Sequence, residues 1–170
     1  MSGPAAVERL EFEDFGRFPN SRLSALIYRG AIDGDVSAEG FETLFSRNGW
    51  PARWVGSIYN YHHFHSTAHE VLGVASGSAQ VALGGPKGRV VTLEAGDAVV
   101  IPAGVAHKRV SASADFAVVG AYPPGQEWDI LNGEDGEREA ALANIASVAV
   151  PDTDPVQGVA GTLHQAWSEE

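Results

Sequence analysis

Short β-prone runs separated by turn residues fill the middle of this chain, from Arg53 to Tyr122. The turns contain pairs such as Ser76-Gly77 and Gly96-Asp97 and recur roughly every six to ten residues. That spacing leaves no room for a helix between successive strands, so it argues against βαβ units. We therefore predict an all-β fold, either a barrel or a sandwich.

The 170 residues are most simply organised as one domain. We predict a disordered lead-in at 1–8, a strand and a helix packed on a β-barrel at 9–52, the barrel core at 53–122, and an extension packed on the barrel at 123–170. The predicted strands are residues 23–32, 54–65, 70–75, 79–83, 89–93, 98–101, 106–111 and 116–121. Short helices are predicted at 37–48 and 137–146.

The helix at 37–48 has the clearest local signals. Ser37 can cap its first turn, and Phe41, Leu44 and Phe45 recur at the spacing of one helical face. Gly49 stands where a helix commonly ends.

Histidines are concentrated in two segments of the predicted barrel. His63 and His65 are two positions apart, so an extended strand would place both side chains on one face. Glu70 follows after a turn, and His107 would come from a separate strand. Three imidazoles and one carboxylate suit a divalent transition metal such as Fe, Mn, Ni or Zn.

Strand alternation predicts on which face of the strand the other polar residues lie. His62 and His69 would lie opposite His63 and Glu70, as surface or interface side chains, unless a register shift made His69 a ligand in place of Glu70. Three further residues share a face with the predicted ligands and could line the pocket that binds substrate: Tyr59, Tyr61 and Arg109. Ordinary aromatic packing for the tyrosines, and an ion pair at the barrel mouth for the arginine, remain open alternatives.

Composition narrows the function classes. A net charge of −11 argues against nucleic-acid binding, which needs clustered lysines and arginines. The absence of cysteine excludes disulfides, iron–sulfur clusters and a thiol nucleophile. No apolar stretch approaches membrane-spanning length and the N-terminus does not read as a signal peptide, so we expect a cytoplasmic protein without a membrane partner.

The two histidine segments resemble the motifs of the cupin superfamily. The first motif, G-x5-H-x-H-x3,4-E-x6-G, is matched by His63, His65, Glu70 and Gly77, while Gly56 lies one residue further upstream than the pattern asks. The second, G-x5-P-x-G-x2-H-x3-N, is matched in the four positions Gly96, Pro102, Gly104 and His107, with Ser111 in place of the final asparagine.

The flanking sequence resembles the YjlB-type small bacterial cupins. Three stretches carry this closer resemblance: residues 26–31, 62–73 and 122–125. It implies a jelly-roll β-barrel, one metal ion and a homodimer. It implies no particular reaction, because the superfamily includes dioxygenases, isomerases, epimerases, storage proteins and sensors.

Two functions from different classes follow. The first is a metal-dependent enzyme, a dioxygenase or an isomerase, acting on a small oxygen-rich metabolite. The second is a non-catalytic protein that binds or stores a small molecule or the metal. A metal-free sugar-nucleotide epimerase is a third possibility, but the complete ligand set and the scarcity of lysine argue against it.

Overall fold

The computed structural model describes residues 6–168, which form nine strands and three helices. The strands are β1 (Val7–Phe12), β2 (Ser21–Tyr28), β3 (Ala52–Gly56), β4 (Glu70–Ser76), β5 (Ser78–Leu83), β6 (Arg89–Glu94), β7 (Ala98–Ile101), β8 (His107–Ala112) and β9 (Ala117–Ala121). The helices are α1 (Ala38–Arg47), α2 (Arg138–Ser147) and α3 (Thr162–Ser168).

The strands form two antiparallel sheets. The larger has six strands in the order β1-β2-β7-β4-β9-β3, and the smaller has three in the order β6-β5-β8. The all-β prediction is confirmed, but the sheets do not close into a barrel, because β1 and β3 end the larger sheet and β6 and β8 end the smaller. The arrangement is consistent with a jelly-roll sandwich.

Both faces of the larger sheet are covered. One apolar cluster lies between the sheets and includes Leu72, Leu83 and Ile101. A second cluster joins the opposite face to α1 and α3 through side chains such as Phe45 and Trp167. Strands β4 and β7 are therefore buried along nearly their whole length, and their two faces cannot be divided into an inner and a solvent face.

Helix α1 confirms the prediction made from its local signals. The Ser37 hydroxyl accepts the Gly40 N–H at 3.0 Å, and Phe41, Leu44 and Phe45 are its buried residues. Phe41 packs directly on Gly73 of β4, where a Cβ atom would come within 2.4 Å of the ring. The glycine lets the helix approach the sheet closely enough to seal that face.

Several predicted boundaries are wrong. The strand at 54–65 stops at Gly56, and beyond it only isolated bridges form at His63 and Phe64. The disordered lead-in predicted at 1–8 is wrong for Val7 and Glu8, which belong to β1, while residues 1–5 lie outside the described part of the chain. A third helix, α3, which was not predicted, lies within the extension at 123–170. Within residues 6–168, no helix is long and apolar enough to cross a membrane.

Candidate metal centre

The first and last of the predicted histidine ligands are joined through their main chains. The N–H of His63 donates to the His107 carbonyl at 3.1 Å, and the N–H of His107 donates to the His63 carbonyl at 2.8 Å. This isolated antiparallel bridge brings His63 from the loop before β4 to the first residue of β8. The two side chains are therefore adjacent although 43 intervening residues separate them in sequence (64–106).

The turn before β8 also holds His65. Gly104 has φ of +100°, and a Cβ atom there would lie 2.2 Å from the Asn20 carbonyl oxygen, so the position demands glycine. The N–H of Gly104 donates to the carbonyl of His65 at 2.8 Å. The second motif thus fixes a ligand of the first motif through its backbone.

Residues 63–69, which carry His63 and His65, form the ligand loop, and residues 126–131 hold this loop from the other side. Phe64 and Leu131 exchange main-chain hydrogen bonds of 2.8 and 2.9 Å. The carboxylate of Asp129 accepts the Ser66 N–H at 2.6 Å and also contacts the Ser66 hydroxyl. The ligand loop therefore owes its shape to contacts with residues far away in sequence.

The structure brings together His63, His65 and His107, all of them buried. One ring nitrogen from each lies within 4.8 Å of the others. Each Nδ1 contacts a main-chain oxygen, at 3.0 Å for His63, 2.5 Å for His65 and 3.1 Å for His107. These contacts assign the Nδ1–H tautomer and leave Nε2 as the atom available to a metal.

The carboxylate of Glu70 faces the same cluster from the start of β4. Its Oε1 lies 3.3 Å from Nε2 of His107, and its Oε2 lies 3.3 Å from Nε2 of His65. Burial alone would raise the pKa of Glu70, but the charge of His65 and the close contacts with the two imidazoles hold that pKa well below its ordinary value. Glu70 is therefore an anion enclosed by imidazoles.

The imidazoles differ in their protonation. Burial, reinforced by His107, lowers the pKa of His63 to about 3, so this ring is neutral and can donate a lone pair. Burial also acts to lower the pKa of His65, but attraction and hydrogen bonding to Glu70 outweigh it and raise that pKa above its usual value. The anionic Glu70 therefore favours the protonated form of His65.

Two aromatic residues complete the surroundings of Glu70. The hydroxyl of Tyr122 donates to Oε2 of Glu70 and accepts the indole N–H of Trp54 at 2.8 Å. Burial and the adjacent Glu70 raise the pKa of Tyr122, so the phenol remains a donor. Trp128 stacks on Tyr122 with the ring centroids 4.3 Å apart.

A cavity of about 430 Å³ opens onto the imidazoles and Glu70. Its walls carry aromatic and aliphatic side chains, which suit the body of a small organic molecule, and its polar groups converge at the histidine cluster. The lining residues are Arg53, Trp54, Gly56, Ser57, Ile58, Tyr59, His63, His65, Glu70, Leu72, His107, Tyr122, Trp128 and Ile130.

The predicted pocket residues lie nearer the surface than a continuous strand would place them. Tyr59 lines the cavity and is 48% exposed, and Tyr61 stacks on it with ring centroids 5.1 Å apart. Arg109 donates to the hydroxyl of Ser57 at 2.9 Å. Among the described residues, the cavity lining includes neither Tyr61 nor Arg109.

The predicted environment of His69 is wrong. We expected a surface or interface position, but only 2% of His69 is exposed, because the ring packs against Trp167 of α3 with centroids 4.7 Å apart. Its Nδ1 accepts the Ala103 N–H at 2.9 Å, and it is not a member of the imidazole cluster. Glu70, not His69, faces the candidate metal centre. His62 is partly exposed and contacts the ring of Phe18.

The donor set fits a divalent first-row transition ion. Three imidazoles have Nε2 oriented by hydrogen bonds at Nδ1, and one buried carboxylate lies beside them. Nitrogen and oxygen donors of this kind accept iron, manganese, nickel or zinc.

Sequence reasoning did not identify Tyr122 or Asp129 as parts of this site. Tyr122 follows β9 and reaches Glu70 only because β9 pairs with β4, and that pairing has no local sequence signal. Asp129 lies in an irregular segment without any motif.

Comparison with known proteins places the chain in a family. The family profile described as "Cupin domain" matches residues 54–119, which include all three clustered histidines. The uncharacterized protein YjlB of Bacillus subtilis strain 168 is 43% identical over 157 residues, covering 92% of this chain and 93% of that protein.

Two solved structures share a lower similarity. RmlC from Streptococcus suis, in complex with dTDP-D-xylose, is 15% identical with a TM-score of 0.40, covering 69% of this chain and 70% of that one. Acireductone dioxygenase from Bacillus anthracis, with a cadmium ion in its active centre, is 23% identical with a TM-score of 0.35, covering 56% and 58%.

Proposed function

Because this chain belongs to the cupin family, as its similarity to YjlB over nearly its whole length shows, we propose that it is a metal-dependent enzyme acting on a small, oxygen-rich metabolite. One observation carries the proposal: three buried imidazoles present Nε2 atoms at the base of a cavity that can admit a small molecule. A purely structural histidine cluster would have no need of an adjoining cavity.

His63, His65 and His107 would hold the ion, with Glu70 as the fourth group. Bound there, a divalent ion supplies a Lewis-acid centre, and iron additionally supplies an electron source for oxygen chemistry. The protein contributes the orientation of the ligands, which the main-chain oxygens bonded to each Nδ1 maintain.

The cavity walls would position the substrate against that centre. Trp54 and Leu72 provide apolar surface that excludes water from one side, and Tyr59 stands at the exposed side. Tyr61 supports Tyr59 by stacking, and Arg109 supports Ser57 by its hydrogen bond. In this proposal the two residues act on the substrate through those neighbours.

Dioxygenation and isomerisation of a keto- or enol-containing metabolite are the two reactions to test. The protein is produced without a histidine tag, its metal content is measured, and oxygen uptake is followed with Fe(II) and a panel of diketones, thiols and hydroxy acids. Isomerisation is followed by NMR of the same panel. Turnover that requires His63 and His107 would support the proposal.

The competing function is binding without catalysis. Tight metal binding together with ligand-induced spectral change, but no turnover with any member of the panel, would favour that function. A protein that binds no metal at micromolar concentrations would contradict the enzyme and the metal-storage function, and would leave only the binding of a small molecule.

A further inference from the structure

Glu70 is held by more than the imidazoles. Its Oε2 accepts a hydrogen bond from the Tyr122 hydroxyl, and that hydroxyl is itself oriented by the indole N–H of Trp54 at 2.8 Å. Its Oε1 has only His107 as a side-chain neighbour within the contacts of the described residues. The two oxygens of one carboxylate are therefore not equivalent toward the centre.

The tyrosine cannot easily leave this position. Tyr122 is 1% exposed, and its ring is stacked on Trp128 with an interplanar angle of 4°. The Trp54 ring lies against Gly120, where a Cβ atom would come within 2.2 Å of the indole, so the indole is fixed on the backbone of β9. The donor chain Trp54–Tyr122–Glu70 is thus built from packed groups.

We propose that Tyr122 determines how Glu70 takes part in metal binding, by retaining Oε2 and leaving Oε1 as the oxygen available to the ion. This rests on the proposed function. A carboxylate with both oxygens free can bind an ion through both, which adds a ligand and favours ions that prefer oxygen. With one oxygen retained, a coordination position stays open for a substrate or water. Tyr122 is in this sense a positioning residue.

The test replaces the hydroxyl alone. Tyr122→Phe keeps the stacked ring but frees Oε2 of Glu70. We expect the visible spectrum of bound Co(II) to change toward that of a higher coordination number. We also expect the affinity for Mn(II) relative to that for Zn(II) to rise by about tenfold, the smaller of the effects usual for residues that orient a metal ligand. Metal-edge X-ray absorption would count the added oxygen directly.

A matched control exists elsewhere in the chain. Tyr28 is also buried and donates its hydroxyl to a carboxylate, Oδ2 of Asp154, at 2.6 Å. Tyr28→Phe should leave the Co(II) spectrum and the Mn(II)/Zn(II) ratio unchanged. A spectral change in both variants would indicate a general packing effect and overturn the inference.

A double variant shows whether Tyr122 acts through Glu70. In a Glu70→Gln background, adding Tyr122→Phe should produce no further change in metal preference. An equal change in both backgrounds would overturn the inference. Should Tyr122→Phe fold poorly, Trp54→Phe keeps an aromatic ring but removes the indole donor and part of the packing on Gly120, and it should shift the spectrum in the same direction by a smaller amount.

The possible failures can be told apart. A wild-type protein that binds no Co(II), Mn(II) or Zn(II) would remove the proposed function and this inference with it. A wild-type protein that binds metal, with a Tyr122→Phe variant of identical spectrum and metal preference, would overturn the inference alone.

Discussion

The imidazole rings of His63 and His107 lie 4.1 Å apart, centroid to centroid, directly beside the main-chain bridge that joins the two residues. While these two backbone hydrogen bonds hold, the rings can move apart only by rotation of their side chains. The bridge therefore holds the main chain of both predicted ligands in place, which lowers the entropy lost when an ion binds.

Removal of one of these rings should abolish stable metal binding. We expect His107→Ala to weaken affinity for Co(II) or Zn(II) by more than about a hundredfold. Loss of a residue that merely orients a ligand costs up to about a hundredfold in metal affinity, and here a ligand itself is lost. Metal analysis after dialysis measures the effect. His62→Ala is the control, since His62 is adjacent in sequence but outside the cluster. Equal metal content in both variants would show that the ion is held elsewhere.

Asp129 should matter for metal affinity although it is not expected to touch the ion. Its main-chain oxygen contacts Nδ1 of His65, and its carboxylate anchors the neighbouring Ser66. We expect Asp129→Ala to weaken Zn(II) binding by about tenfold to a hundredfold. Competition with a chromophoric chelator gives the affinity.

An exposed carboxylate nearby provides the comparison for that variant. Asp135→Ala removes an acidic side chain of the same type from the same C-terminal region, and it should leave Zn(II) affinity unchanged. Weakening by the same factor in both variants would point to a loss of net negative charge and would contradict a role in orienting His65.

Metal binding should release a proton from the His65–Glu70 pair. Glu70 raises the pKa of His65 in the metal-free protein despite its burial, so an incoming ion must displace that proton. Affinity should then fall as the pH falls, by about tenfold per unit for one proton. Calorimetry in two buffers of different ionisation enthalpy counts the protons. Glu70→Gln should reduce the count, and pH-independent affinity in the wild type would refute the expectation.

His69 should make the metal-free protein less stable in mild acid. Burial lowers its pKa from 6.5 to about 4, so between these values the unfolded chain binds a proton that the folded chain does not. The free energy of unfolding should therefore decrease as the pH falls from 6.5 to 4, by up to about 3 kcal/mol from this residue. Urea denaturation across that range measures the slope.

A variant that cannot titrate isolates this contribution. His69→Asn keeps an oxygen that can accept the Ala103 N–H and should show a shallower dependence of stability on pH. His63 is also held neutral by burial and contributes a slope of the same sign, so the variant retains part of the effect. An unchanged slope would mean that burial does not lower the pKa of His69 in the folded chain.

Sequence spacing predicted the histidine cluster and one residue of the cavity wall, Tyr59, but not the rest of the wall. The motif glycines and prolines determine turn geometry locally, and Gly104 shows why: its φ of +100° directs the chain into β8 and His107. The continuous strand predicted through 54–65 failed because residues such as Phe64 bond to Leu131, a partner that no local pattern reveals. Long-range pairings of this kind decide where Tyr59 and Tyr61 lie.

Alternation failed for a different reason at His69. Period-two patterns assume one buried and one solvated face, but α1 and α3 cover the second face of the larger sheet. The sequence 162–168 gives weak evidence for α3, since seven residues form barely two turns of helix. Because α3 was not predicted, the strand pattern alone could not show that His69 is buried against Trp167.

The contacts of residues 126–131 with the ligand loop bear on how this protein could be cut or recombined. The Cupin domain match ends at residue 119, and a fragment with that boundary would carry all three clustered imidazoles. It would lack Asp129, which orients His65, and Tyr122, which engages Glu70. Grafting the matched region alone into another chain would transfer the ligands without their alignment, so the smallest transplantable unit of this site is longer than its sequence signature.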